Sequence, residues 1–168
     1  MPRRIAALCG AAVAATAAVA VAIAGPAGAQ TPTAQTLTLT EPANGQFSIV
    51  DNPPKSRRHG ENTRFSVGDA LVITNRVLDA SRHRVGSVRA VCFITKAGGF
   101  ARAEADCLGV FALSGGNLYV TIPLVFSEDS TQTGVVVGGT GAYQGLHGTW
   151  TSVNHRDGSS TDTLTLTP

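Results

Sequence analysis

Gly138, Gly139, Gly141, Gly145 and Gly148 crowd into one short stretch behind a run of valines. Glycines at that density serve one of two chemistries: a backbone cradle for phosphate, or a chain forced into tight geometry that side chains would obstruct. Gly139, Gly141 and Gly145 come close to a dinucleotide fingerprint, but that fingerprint has to open a helix inside a βαβ unit. The residues that follow, Gly148-Thr-Trp-Thr-Ser-Val153, are β-branched and poor helix formers. The only lysines, Lys55 and Lys96, lie upstream, so no phosphate-binding lysine follows the glycines. The stretch therefore reads as a sharp turn or bulge joining two strands.

Other residue types narrow the chemistry further. His59, His83, His147 and His155 are scattered and none stands at metal-ligand spacing, which argues for no metal. Cys92 and Cys107 fall symmetrically about the turn-like Ala97-Gly-Gly-Phe-Ala101. If the flanking segments form a hairpin, the two cysteines oppose one another and can form a disulfide, worth about 3 kcal/mol for a loop of this size in the chain-entropy model. Within the strands, Arg76 is a charge in an apolar run, and Tyr119 carries a hydroxyl able to orient a ligand. Lys55, Arg57, Arg58, His59 and Arg64 make residues 52–68 a basic loop, which could meet an anion but reads more simply as solvated surface.

These residues must be held by something, and the pattern says strands. Residues 1–29 have the form of a cleaved export signal: Arg3 and Arg4, an Ala/Val-rich run, Gly25-Pro26, and an Ala27-Gly28-Ala29 cleavage site. That makes the protein secreted, with no stable membrane anchor after cleavage, and places its cysteines where a disulfide persists. Losing Arg3 and Arg4 brings the 13 Lys and Arg level with the 11 Asp and Glu, so a generally basic surface for nucleic acid is excluded. Residues 30–35 read as a linker, and 36–168 as one domain. Strand signals recur at 36–40, 46–50, 70–78, 86–95, 103–113, 117–126, 133–137, 148–154 and 160–167, with no helical period between them. Leu37-Thr-Leu-Thr40 and Leu164-Thr-Leu-Thr167 repeat the same alternation in the first and last strands, as closure of a barrel requires. A two-sheet sandwich is the other architecture that such strands suit. Several central strands are apolar on both faces, which points to an apolar lumen and an apolar exterior covered by another subunit, or else to a tightly packed two-sheet core.

Phe47-Ser-Ile-Val-Asp-Asn-Pro-Pro54, Ser66-Val-Gly-Asp69, Arg84-Val-Gly86, Cys92 and especially Val137-Gly-Gly-Thr-Gly-Ala-Tyr143 followed by Gly148 resemble exported bacterial members of the allene oxide cyclase barrel and dirigent-like superfamily. The resemblance spans nearly all of 36–168, and Gly138, Gly139, Thr140, Gly141 and Gly148 are its fold motif. It implies an all-β, eight-stranded antiparallel closed barrel of calycin type, a homotrimer, no cofactor, and an apolar lumen open at one end. Relatives of this kind cyclise a fatty-acid epoxide or direct phenoxy-radical coupling, and their shared physics is a shaped pocket that holds a reactive molecule in one conformer.

Residue by residue, Asp51 resembles the aspartate of the dirigent Asp-Asp-Pro motif, which assists proton transfer; as a residue before Asn-Pro it also suits a turn cap. Gln144 and His147 stand where plant dirigent proteins carry arginine, beside Tyr143. Asp51 and His147 are thus the catalytic candidates, and Arg76, Tyr119, Tyr143 and Gln144 the ligand-binding ones. The function implied is a barrel that binds a small hydrophobic or aromatic molecule and steers its cyclisation or coupling, as a cofactor-independent isomerase or cyclase. Two alternatives stay open: a carrier of the lipocalin kind that does no chemistry, and an interaction module whose lumen is filled.

Overall fold

The computed structural model describes residues 34–53, 64–100, 102–126 and 130–168. The expected signal segment, and Lys55, Arg57, Arg58 and His59 of the basic loop, lie outside the described residues. The strands are β1 (Gln35–Glu41), β2 (Gln46–Val50), β3 (Arg64–Phe65), β4 (Ala70–Leu78), β5 (Arg84–Lys96), β6 (Gly98–Gly99), β7 (Glu104–Leu113), β8 (Gly116–Val125), β9 (Thr131–Gly139), β10 (His147–Asn154) and β11 (Ser160–Thr167). The sheet runs β1-β11-β10-β9-β8-β7-β5-β4-β2 and closes through β1 against β4, giving an eight-stranded antiparallel barrel in which β1 and β2 are two halves of one broken stave.

The repeated Leu-Thr pattern does close the barrel. β1 and β11 pair with Leu37 opposite Leu164 and Thr38 opposite Thr163, so leucines share one face and threonines the other. Leu39, Leu164 and Leu166 are buried. Cys92 pairs with Cys107 across β5 and β7, and the two form a disulfide on the inward face. The loop expected between residues 51 and 69 is shorter than its sequence implies, because Arg64 and Phe65 pair with Gly99 and Gly98. Phe65 then meets Phe100 edge to face at 5.0 Å and stacks on Phe126 at 5.6 Å between ring centroids.

The glycine stretch is the corner between β9 and β10. Gly139 ends β9, a single 3-10 turn spans Gly141–Tyr143, and the chain re-enters the sheet at His147. Its amides are already committed: Ala142 N–H donates to Gly115 O, Tyr143 N–H to Thr140 O and Gln144 N–H to Gly141 O. Gly141 has φ of +62°, and a Cβ there would sit 2.4 Å from Gly115 O, so the corner docks on the β7–β8 turn too closely for any side chain.

Inside the barrel, Phe111 meets Trp150 edge to face at 5.4 Å and packs with Leu118, Leu164 and Leu166 in the core. Outside, Val72, Val91, Leu108, Thr121 and Val135 follow one another across β4, β5, β7, β8 and β9 in register. Leu108 is 61 % exposed and Val137 62 %. The double-sided apolar character of these strands is therefore a packed interior and an apolar outer face.

Candidate active site in the open end of the barrel

The break in the first stave makes the site. β1 ends at Glu41, opposite Ser160, the first residue of β11. β2 continues along β4 with Gln46 opposite Thr74, but β11 has already ended there, and the wall opens. Pro42 suits the break, since it cannot donate a ladder hydrogen bond. Asn75 spans the gap: its side-chain amide donates to Pro42 O at 2.9 Å. A cavity of about 310 Å³ lies behind this notch, lined by apolar Phe47, Leu71, Ile73 and Phe100 and by polar Glu41, Asn75, Asn154 and Ser160. Its volume lies at the lower end of the range of small-molecule sites, about 300–1,000 Å³. An apolar cavity of about 150 Å³ already admits benzene, so this one holds one or two rings.

Glu41, at the cavity wall, meets a second carboxyl buried behind it, Asp162. Glu41 and Asp162 both lie on the leucine face of the β1–β11 pair, Glu41 opposite Ser160 and Asp162 opposite Leu39, which makes them diagonal neighbours within side-chain reach. Asp162 is fully buried, whereas Glu41 is half-buried and lines the cavity. Trp150 Nε1–H donates to Asp162 Oδ1 at 2.8 Å, and Ser160 Oγ to Oδ2 at 3.3 Å. Ser152, paired with Asp162 across β10 and β11, also bonds its carboxylate.

Burial raises Asp162 above the ordinary carboxylate range, while its hydrogen bonds from Trp150, Ser152, Glu41 and Ser160 pull it back down. Glu41 is pushed up to about 8, first by burial, then by the charge of Asp162 and the hydrogen bond between the two, against a smaller opposing pull from Asn75. Asp162 is thus the stabilised carboxylate and Glu41 the proton holder, and they titrate as a coupled pair. A carboxyl that keeps its proton near neutrality beside a carboxylate is suited to give or take a proton from a bound molecule.

The residues expected from the sequence sit elsewhere. Arg76 and Tyr119 are exposed on the outer face, flanked by inward Asn75 and Val77 and by buried Leu118 and Val120. The alternation in the sequence already marks this parity: Tyr119 falls with Asn117 and Thr121 against the aliphatic Leu118, Val120, Ile122 and Leu124, and Arg76 with Thr74 against Leu71, Ile73 and Val77. Gln144 and His147 are exposed and Tyr143 half-buried, all at the β9–β10 corner. Burial raises the Tyr143 hydroxyl above its ordinary value. Asp51 is half-buried just beyond β2. The buried carboxylate of that loop is instead Asp69, which accepts from Asn52 N–H at 3.0 Å and from Ser66 N–H at 2.7 Å. None of the six lines the cavity. Glu41 and Asp162 carried a signal in the sequence: each shares parity with the leucines of the repeated Leu-Thr segments, putting a carboxyl on an apolar face in both terminal strands.

No family model matches the chain, and no curated protein matches it by sequence. Solved structures do share its fold. A pyocyanin demethylase superposes with TM-score 0.62 at 21% identity, covering 79% of this chain and 100% of that one. An exo-specific intermolecular Diels-Alderase gives 0.57 at 18% identity over 80% of this chain and 98% of that one. A pterocarpan synthase dirigent protein gives 0.55 at 15% identity over 80% and 87%. What the chain shares with them is the fold, an eight-stranded antiparallel barrel, here with a small cavity at one end. At these identities the likeness establishes the fold.

Proposed function

We propose that the barrel binds a small hydrophobic or aromatic molecule at the Glu41–Asp162 cavity and steers its cyclisation or coupling, with Glu41 moving the proton. One observation carries this reading: a largely apolar cavity of ring size is lined by the half-buried Glu41, which holds its proton near neutrality beside the buried Asp162. Apolar walls fix the conformer of the bound molecule by proximity and orientation, and the coupled pair lets a proton leave one atom and return to another without water. In this reading the roles expected of Asp51 and His147 pass to Glu41 and Asp162. Neighbours named for a demethylase, a Diels-Alderase and a dirigent protein support chemistry on small molecules in this fold. Export and cleavage after residue 29 would place the Cys92–Cys107 disulfide in an oxidising compartment. The outer apolar row from Val72 to Val135 is where further copies of the chain would pack in a homotrimer.

The test is a screen of one- and two-ring compounds by native mass spectrometry, followed by turnover of any retained compound in wild type and Glu41→Gln. The proposal expects retention by both and product from wild type alone. Retention without product from either makes the protein a carrier, and no retention of any ring compound overturns the cavity reading.

A further inference from the structure

We infer that β2 is a docking edge for an extended peptide of another protein, which adds a strand in the place that β11 leaves empty and seats one apolar side chain in the cavity. This goes beyond the ring-molecule reading above: it uses the same cavity but needs no turnover there. β2 is the last strand in the sheet order and pairs with β4 on one side only. In an antiparallel pair, alternate residues direct both N–H and C=O away from the partner strand. Part of the Gln46–Val50 backbone therefore faces the notch, where no described residue bonds to it. A row of unpaired groups like this is a template for another strand, and natural edges are usually guarded by charge, proline or a bulge. Gln46-Phe-Ser-Ile-Val50 has no charge and no proline, and its register with β4 runs unbroken. At five residues it has an ordinary strand length.

What lies behind the edge sets the side chain. β1 and β2 run in one direction along the same stave, and β11 runs antiparallel to β1 from Ser160 onward. A chain that continues the line of β11 is therefore antiparallel to β2, and residues directly opposed share a face. On β2, Phe47 opposes Ile73 and Ile49 opposes Leu71, in the inward row of β4. Phe47 is nonetheless 61 % exposed, because the next stave is missing beside it. The peptide residue opposite Phe47 turns its side chain inward, toward Phe47, Ile73 and Phe100, where about 310 Å³ accepts an aromatic or branched aliphatic group. Gln46, at the same mouth, carries a side-chain amide able both to donate to and to accept from a peptide group.

The far side of the notch sets the length. Gly158, in the β10–β11 turn, lies against Ala43: a Cβ on it would stand 3.5 Å from that of Ala43. The gap closes there, so the ladder is limited to the five residues of β2. Asn154, Gly158 and Ser160 wall the cavity across from β2, so a lone chain fits the notch and the edge of a second barrel does not. Main-chain bonds along an edge, with a pocket for an alternate side chain, are the two halves of recognition by strand addition.

The test titrates acetyl-Thr-Val-Thr-Phe-Thr-amide into the isotope-labelled full chain, with the peptide's Phe placed to fall opposite Phe47 and its Val opposite Ile49. The inference expects saturable binding, slowed amide exchange at alternate residues of β2, and side-chain shifts at Phe47 and Ile73. Changing the peptide's Phe to Ala should weaken binding by roughly tenfold or more. N-methylation of the second and fourth peptide nitrogens, and of the first, third and fifth, should give opposite results: the set that faces β2 abolishes binding, and the set that faces away keeps it. Equal results from the two sets, or binding that leaves the β2 amides unmoved, overturns strand addition. No binding of the peptide while ring compounds are retained overturns strand addition and leaves the cavity reading standing. Retention of the peptide with the alternating pattern, and of no ring compound, supports strand addition and overturns the ring-molecule reading instead.

Discussion

Replacing Glu41 by Gln should remove a large part of the pH dependence of folding stability. Glu41 rises from 4.5 to about 8 on folding. A group that binds its proton more firmly when folded contributes stability in full below its unfolded value and loses it as pH rises through the folded value. At 1.36 kcal/mol per pKa unit, the window from pH 4.5 to 8 carries at most about 5 kcal/mol. That is a large share of the roughly 5–15 kcal/mol stabilising a domain of this size. Asp162, also raised, acts with the same sign. Asp157 is lowered by its hydrogen bonds to Ser159, so its effect falls below its ordinary value of 3.8, outside this window. Gln keeps the volume and a donor toward Asp162 but cannot ionise. Urea unfolding from pH 4.5 to 8.5, with m-values checked for constancy, should show wild type weakening steadily and Glu41→Gln weakening with a much shallower slope left by Asp162, the variant being the more stable above pH 8. A level wild-type profile, or an equal slope in the variant, would refute the buried-pair argument.

Three further outcomes follow from the same geometry. Reducing the disulfide, or replacing Cys92 and Cys107 together by Ser, should cost about 3 kcal/mol in denaturant unfolding. Trp150→Phe removes the indole donor to Asp162 and should cost roughly 1–3 kcal/mol; carboxyl NMR should then place the Asp162 titration higher than in wild type. Gly141→Ala meets both a φ of +62° and a Cβ 2.4 Å from Gly115 O, and should lower stability by on the order of 1–3 kcal/mol in thermal scans, whereas Gly138→Ala, with open space around it, should cost far less.

Much of the barrel is legible in the residues because each strand carries its own evidence. The boundaries 46–50, 70–78 and 160–167 coincide with β2, β4 and β11, and matched Leu-Thr alternation places β1 beside β11. Cys92 and Cys107 fix the β5–β7 register because a hairpin centred on Gly99 and Phe100 has to oppose them. Arg76 and Tyr119 fall outward with their polar neighbours Thr74, Asn117 and Thr121, a parity that is readable in the strands once the outward apolar residues Val72 and Val125 are set aside. The site is harder to read for a physical reason. Glu41 and Asp162 come together only through closure, since 121 positions separate them in a chain whose first and last strands pair. Their shared leucine face is the clue, and it becomes readable once the two repeats are treated as neighbours. The break after Glu41 that opens the cavity depends on how far β11 extends, which no local pattern in β1 encodes.

The most direct test is where a retained ring compound sits. Amide and indole chemical shifts of the full chain, followed as the tightest compound from the screen is titrated in, should move most at Glu41, Ile73, Asn75 and Ser160 and at the Trp150 indole N–H. Shifts concentrated at Arg76 and Tyr119 on the outer face, or at Gln144 and His147 in the glycine corner, with the cavity residues unmoved, would contradict the account.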